Sequence, residues 1–136
     1  GSFMANEILK DLGFHHIALR CADINKSLNM YKALGMTEKV RWGENENLIV
    51  MLDIGNGDII ELFANGGEKY AEEGKWQHFA MRTANVNKAY ETAIKAGFSP
   101  LTQPKTVPLD SSPEKMTITC AFVKGPDGEQ VEFFSN

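Results

Sequence analysis

The sequence predicts an α+β protein, two tandem βαβββ modules forming an open mixed β-barrel or cleft with helices on the outer face. Three observations predict it. The run HIALRCADINKSLNMYKALGM (residues 16–36) lies over HFAMRTANVNKAYETAIKAGF (78–98) without a gap. A second pair, GDIIELF (57–63) and GEQVEFF (128–134), closes each copy. Between these runs each copy holds one helix-like stretch among strand-like ones, and internal repetition of this kind fixes architecture before any single element is assigned.

Residues 1–13 are a tag remnant (Gly1-Ser2) and an N-terminal extension, with a helical turn over Asn6 to Leu12 ended by Gly13. The first module covers 14–65. Phe14 to Cys21 alternates as a strand, with Ile17, Leu19 and Cys21 on one face and His16, Ala18 and Arg20 on the other. Asp23 caps a helix from Ile24 to Leu34, stopped by Gly35. Strands follow at Thr37 to Trp42 and Leu48 to Ile54. Gly55-Asn56-Gly57-Asp58 then turns the chain into Ile59 to Phe63, where Glu61 interrupts an apolar strand. A glycine- and charge-rich linker (66–75) leads to the second module, 76–136.

The second module repeats the plan. Trp76 to Thr83 is a strand, Asn85 caps a helix from Val86 to Ala96, and Gly97 stops it. Phe98 to Thr102 reads as a short strand. Proline at 100, 104, 108 and 113 makes residues 103–114 a loop, a candidate flap over a site. Lys115 to Lys124 and Glu129 to Phe134 complete the module through a turn at Gly125-Pro126-Asp127-Gly128.

A unit of roughly 60 residues is marginal alone, so the copies are expected to share buried surface or to pair again in a homodimer. The formal net charge of −4 and the lack of basic runs exclude nucleic acid and anionic membranes as partners. No apolar run approaches the roughly 18 residues of a membrane helix, and no signal-like leader precedes the first strand. Cys21 and Cys120 form no C-x-x-C pattern, which fits a reduced, cytoplasmic protein.

Strand parity locates the chemistry. A helix covering the apolar face of each module leaves His16 and Glu61, and His78 and Glu132, on the uncovered face. A buried carboxylate costs several kcal/mol unless it is paired or bound to a cation. One histidine at a strand start is commonly structural, and one strand glutamate is commonly solvated. Four such residues at corresponding points of a repeat point instead to a shared divalent metal, and two carboxylates neutralise its charge. Nitrogen and oxygen donors without thiolate suit zinc, nickel, cobalt, iron or manganese. Four protein ligands in an octahedral shell leave two positions for adjacent oxygens of a substrate. His15 has the opposite parity and no counterpart in the second copy, so it is read as structural or exposed.

HIALR with the helix after it, IIELF, QHFAM and GPDGEQVEFF resemble the vicinal oxygen chelate superfamily of glyoxalases, bleomycin-resistance proteins and dioxygenases, over nearly the whole chain from Phe14. The resemblance implies paired βαβββ modules around a metal. The His16/Glu61/His78/Glu132 set is most similar to bacterial glyoxalase I (lactoylglutathione lyase). That likeness implies a small-molecule substrate and one divalent ion per site (Ni, Co or Zn). It also implies conversion of a 2-oxoaldehyde–thiol hemithioacetal to a 2-hydroxyacyl thioester through a metal-bound enediolate, as in methylglyoxal detoxification. Glu132 then acts as base, with Glu61 as its partner on the other face. Arg20 and Asn65 contact the thiol, which is glutathione or another low-molecular-weight thiol, and Lys69-Tyr70 echo the same family. The alternatives are another enzyme of the superfamily, such as an acyl-CoA epimerase, and a non-catalytic small-molecule binding or resistance protein.

Overall fold

The computed structural model describes residues 5–33, 35–67, 75–124 and 130–136. The order is β1 (Gly13–Arg20), α1 (Ile24–Ala33), β2 (Thr37–Trp42), a 3₁₀ turn (Asn45–Asn47), β3 (Ile49–Gly55) and β4 (Asp58–Phe63). Then come β5 (Trp76–Arg82), α2 (Val86–Lys95), β6 (Ser99–Leu109), β7 (Met116–Lys124) and β8 (Gln130–Ser135). The βαβββ plan therefore occurs twice, as the repeat requires. The hydrogen-bonded strand order is β2-β3-β4-β1-β5-β8-β7-β6. The linker residues 68–74, with Lys69-Tyr70, and the turn at 125–129 lie outside the described residues.

Two compact units divide the chain, and β1, β5, β6 and β7 each contribute residues to both. One unit comprises His16–Phe79 and Pro108–Met116. Its helix begins where Asp23 Oδ1 accepts the Lys26 amide at 3.1 Å, satisfying one of the donors a helix start leaves over. Ile24 and Leu28 of α1 bury against Val50 and Leu52 of β3 and Ile60 and Leu62 of β4, with Ile17 and Leu19 of β1 packed on the same cluster. Burying each such aliphatic side chain stabilises by roughly 1.5–3 kcal/mol over leaving it exposed. β1 and β4 run parallel with Ile17 opposite Ile60, Ala18 opposite Glu61 and Leu19 opposite Leu62. With the odd-numbered β1 residues committed to α1, His16, Ala18 and Glu61 are left on the other face, as parity predicts.

The other unit comprises the described parts of Gly1–His15, Ala80–Val107 and Thr117–Asn136. Asn85 Oδ1 accepts the Lys88 amide at 3.0 Å and starts α2. Val86, Ala89, Tyr90 and Ala93 form its buried stripe at helical spacing. The helix packs on β8, where Val131 and Phe133 are buried. Cys21 donates its amide to the Phe63 carbonyl at 2.8 Å, and its counterpart Thr83 donates to Phe134, the counterpart of Phe63, at 3.1 Å. The duplication thus extends to individual backbone bonds.

One reading of the sequence is corrected. Residues 103–109 are not a loop: they continue β6 to Leu109, despite Pro100, Pro104 and Pro108. β6 stands last in the strand order, so only one of its sides is paired. The three prolines are four residues apart, so in a pleated strand their missing donors all fall on one side, an arrangement that a strand paired on one side only can accommodate. Of the predicted loop, residues 110–114 remain outside the named strands.

Candidate metal centre

β1, β4 and β5 bring His16, Glu61 and His78 into one buried cluster, all three within a single unit. His16 Nε2 lies 3.0 Å from His78 Nε2. Glu61 Oε1 lies 3.3 Å from His16 Nε2 and 3.4 Å from His78 Nε2. Three donor atoms thus face one another across a triangle with sides of 3.0 to 3.4 Å.

Glu61 Oε1 has no hydrogen-bond partner among the described residues, because both imidazole contacts are close but misaligned. Burial alone pushes the Glu61 carboxyl up. The pull of His16 and His78 outweighs it and holds the carboxyl at about 2. Given the misalignment, we attribute that pull to proximity rather than to formed hydrogen bonds. A buried carboxylate oxygen with no proton to accept is costly.

Gln77 orients the His78 ring. Its Oε1 lies against His78 Nδ1 in a close hydrogen bond. An amide oxygen only accepts, so Nδ1 donates to it and Nε2 is the ring nitrogen that faces Glu61. Phe63 packs edge-on to the same ring, with centroids 6.0 Å apart.

The donor set and its spacing fit a divalent ion. Donors about 2.1 Å from a common ion lie roughly 3.0 Å apart at right angles and roughly 3.4 Å apart at a tetrahedral angle. The observed triangle falls in that range, and the ion would satisfy the orphaned carboxylate oxygen.

The other predicted residues stand as follows. Glu132 is buried on β8 opposite Phe122, in the second unit, and is not one of the three clustered donors. Arg20 ends β1 half-buried, and Asn65 is exposed in the turn after β4. Gly66, next to Asn65, gives its amide to the Cys21 carbonyl at 3.0 Å, and a Cβ there would overlap the backbone of Arg20 and Cys21. The turn bearing Asn65 is therefore pinned to the end of β1, and Lys75 Nζ ties it further through the Gly66 and Gly67 carbonyls. His15 packs on Phe134 with ring centroids 4.3 Å apart, in the second unit. Gln77 escaped the sequence reading. Neighbouring residues of a strand point to opposite faces, and only its length and amide let it fold back onto His78.

The chain is similar to curated proteins along most of its length. It is 31% identical over 131 residues to the "Probable lactoylglutathione lyase" of Vibrio parahaemolyticus, covering 89% of this chain and 88% of the relative. It is 28% identical over 124 residues to the "Uncharacterized protein YwbC" of Bacillus subtilis, covering 88% and 94%. Among solved structures, the methylmalonyl-CoA epimerase of Mycobacterium tuberculosis shares the fold with a TM-score of 0.68 at 17% identity, over 97% of this chain and 91% of that one. The family model of the glyoxalase/bleomycin resistance protein/dioxygenase superfamily matches residues 13–133, and the chain belongs to that superfamily.

Proposed function

We propose that this chain is a metal-dependent glyoxalase-type lyase, converting the hemithioacetal of a 2-oxoaldehyde and a thiol into a 2-hydroxyacyl thioester. The observation that carries the reading is the buried His16/Glu61/His78 triangle, in strands whose patterning would otherwise have filled those places with aliphatic side chains. The relative named as a lactoylglutathione lyase supports the reaction class. His16, Glu61 and His78 hold one divalent ion, nickel, cobalt or zinc, and Glu132 completes the set. When bound, the ion supplies Lewis-acid polarisation of the substrate's two vicinal oxygens.

The residues divide the remaining work. Glu61 is pinned between two imidazoles and serves as a fixed ligand, acting on a proton only at the opposite face of the substrate. Glu132 takes the C1 proton and returns it to C2, which converts the hemithioacetal carbon to the thioester carbonyl and C2 to the carbinol. Arg20 receives a carboxylate of the thiol through its planar fork, and Asn65 offers its amide beside it. We read the enzyme as a cytoplasmic homodimer, in keeping with the small size of each repeat unit and with two cysteines in no C-x-x-C pattern.

The test couples metal analysis to a substrate panel. Protein reconstituted with Ni²⁺, Co²⁺ or Zn²⁺ should bind one ion per site and turn over methylglyoxal with glutathione or another small thiol. Glu132→Gln should keep its metal and its fold while kcat falls by roughly 10²–10⁴. Turnover of acyl-CoA substrates alone would replace the lyase reading with an epimerase, and metal binding without turnover of either would leave a binding protein. Light scattering of the same preparation checks the dimer.

A further inference from the structure

The sequence holds two Asn-Gly pairs, Asn56-Gly57 and Asn65-Gly66. Asparagine is a thermolabile residue, most of all before glycine. The amide nitrogen of the following residue attacks the side-chain carbonyl, and glycine puts no side chain in the way. Both pairs lie in the same compact unit, one in the turn between β3 and β4 and the other just after β4. Their surroundings differ.

Asn56 and Gly57 form the two-residue tip of a hairpin, between the paired Gly55 and Asp58. Positive φ values of 59° and 84° mark the tight turn that Asn-Gly favours. Every residue from Ile54 to Asp58 is exposed. A Cβ added at Gly55 or Gly57 would meet nothing within 4 Å. The Gly57 amide donates to Asp53 Oδ1 at 3.3 Å, so its acceptor is a carboxylate. Gly66 is the opposite case. It is buried, its amide donates to the Cys21 carbonyl at 3.0 Å, and the backbone of Arg20 and Cys21 bars any swing.

We propose that Asn56 is a deamidation site with the Asp53 carboxylate as its base, and that the fold protects Asn65. The inference does not depend on the lyase reading. The Gly57 nitrogen bonds to Cγ of Asn56 and gives its proton to Asp53, while the side-chain nitrogen takes up a proton and leaves as ammonia. That closes a succinimide. Water then opens the ring at either carbonyl, giving aspartate or isoaspartate. The attack needs the turn to open first, and an exposed tip opens more readily than a buried connection. At Gly66 the acceptor is a main-chain carbonyl, which takes no proton. Either product at residue 56 adds a negative charge near Asp53 and Asp58, and isoaspartate also lengthens the main chain of a two-residue turn.

The experiment incubates the full-length protein, native and in urea, in mildly alkaline buffer and follows it by mass spectrometry after cleavage at glutamate. That cleavage puts Asn56 in residues 47–61 and Asn65 in residues 62–68. In the native protein the first peptide should gain about 1 Da at Asn56 and split into two forms, one of them methylated by an isoaspartyl O-methyltransferase. Conversion at Asn65 should be at least about tenfold slower, because the Gly66 bond must break first. Urea should bring the two rates together. Asp53→Asn keeps an oxygen acceptor without a base and should slow conversion at Asn56 severalfold. Native conversion no faster at Asn56 than at Asn65, or a difference that persists in urea, overturns the proposal. An unchanged rate in Asp53→Asn overturns the part given to Asp53.

Discussion

The first and second copies of the repeat share sequence, capping and backbone bonds, yet spend their equivalent corners differently. After β1 the chain places Cys21, whose buried thiol lies 3.9 Å from the Leu19 carbonyl, and closes the corner with Gly66 pressed onto the strand end. After β5 it places Thr83, whose hydroxyl joins the Ala84 amide to receive Asp11 from the N-terminal segment. A thiol is a weak donor and a hydroxyl a good one, so Thr83 adds a bond to the Asp11 carboxylate that a cysteine would make only weakly. Duplication fixed where the groups stand. Later substitutions set what each corner binds.

The comparison can be broken or sharpened by substitution, and the largest effect is expected at the buried triangle. His16→Ala or His78→Ala should lower metal affinity by at least about 100-fold, read by competition with a chelator, since each removes a first ligand where second-sphere changes alone cost 10–100-fold. His15→Ala, off the cluster, should leave metal content unchanged, and a loss there would mean that the wrong histidine has been assigned. Gln77→Leu comes next: it frees the His78 ring and should cost about tenfold in the same assay with the fold intact. Gly66→Ala should destabilise the protein by about 1–3 kcal/mol in urea, because a Cβ must displace the backbone of Arg20 and Cys21.

The smallest effect is the pH dependence of the second corner. The Ala84 amide holds the Asp11 carboxyl below its usual range; slight desolvation opposes this, and the Thr83 hydroxyl and Arg82 assist. A carboxyl depressed in the folded state adds stability above its unfolded pKa of about 4 and loses it as pH falls through the folded value. Wild type should therefore melt slightly above Asp11→Ala at neutral pH, and the two should converge in acid.

Much of this was legible in the sequence for a plain reason. The side-chain period of a strand is two, so Ile17 and Leu19 facing α1 leave His16 nowhere but the opposite face, and Glu61 follows from Ile60 and Leu62. Repetition then doubled the signal. Two things were hidden. β6 was misread because proline breaks a paired strand but not the open side of a terminal one. Gln77 was missed because its role depends on a side chain bending back across its own strand, which no periodicity records. The N-terminal turn is real, with Asn6 Oδ1 accepting the Ile8 and Leu9 amides at 3.0 and 2.8 Å, but its use as the carrier of Asp11 has no local signature.

The two ends of the strand order also bear on how copies of the protein avoid one another. At one end, β2 is joined outside its strand partner by Ser112, which exchanges two bonds with Arg41 at 3.0 and 2.9 Å. At the other, β6 carries three prolines, which have no amide to donate. Exposed strand edges invite pairing with other chains, and here one margin carries a backbone cross-tie and the other lacks three amide donors. Replacing Pro104 with threonine would restore a backbone donor at that margin.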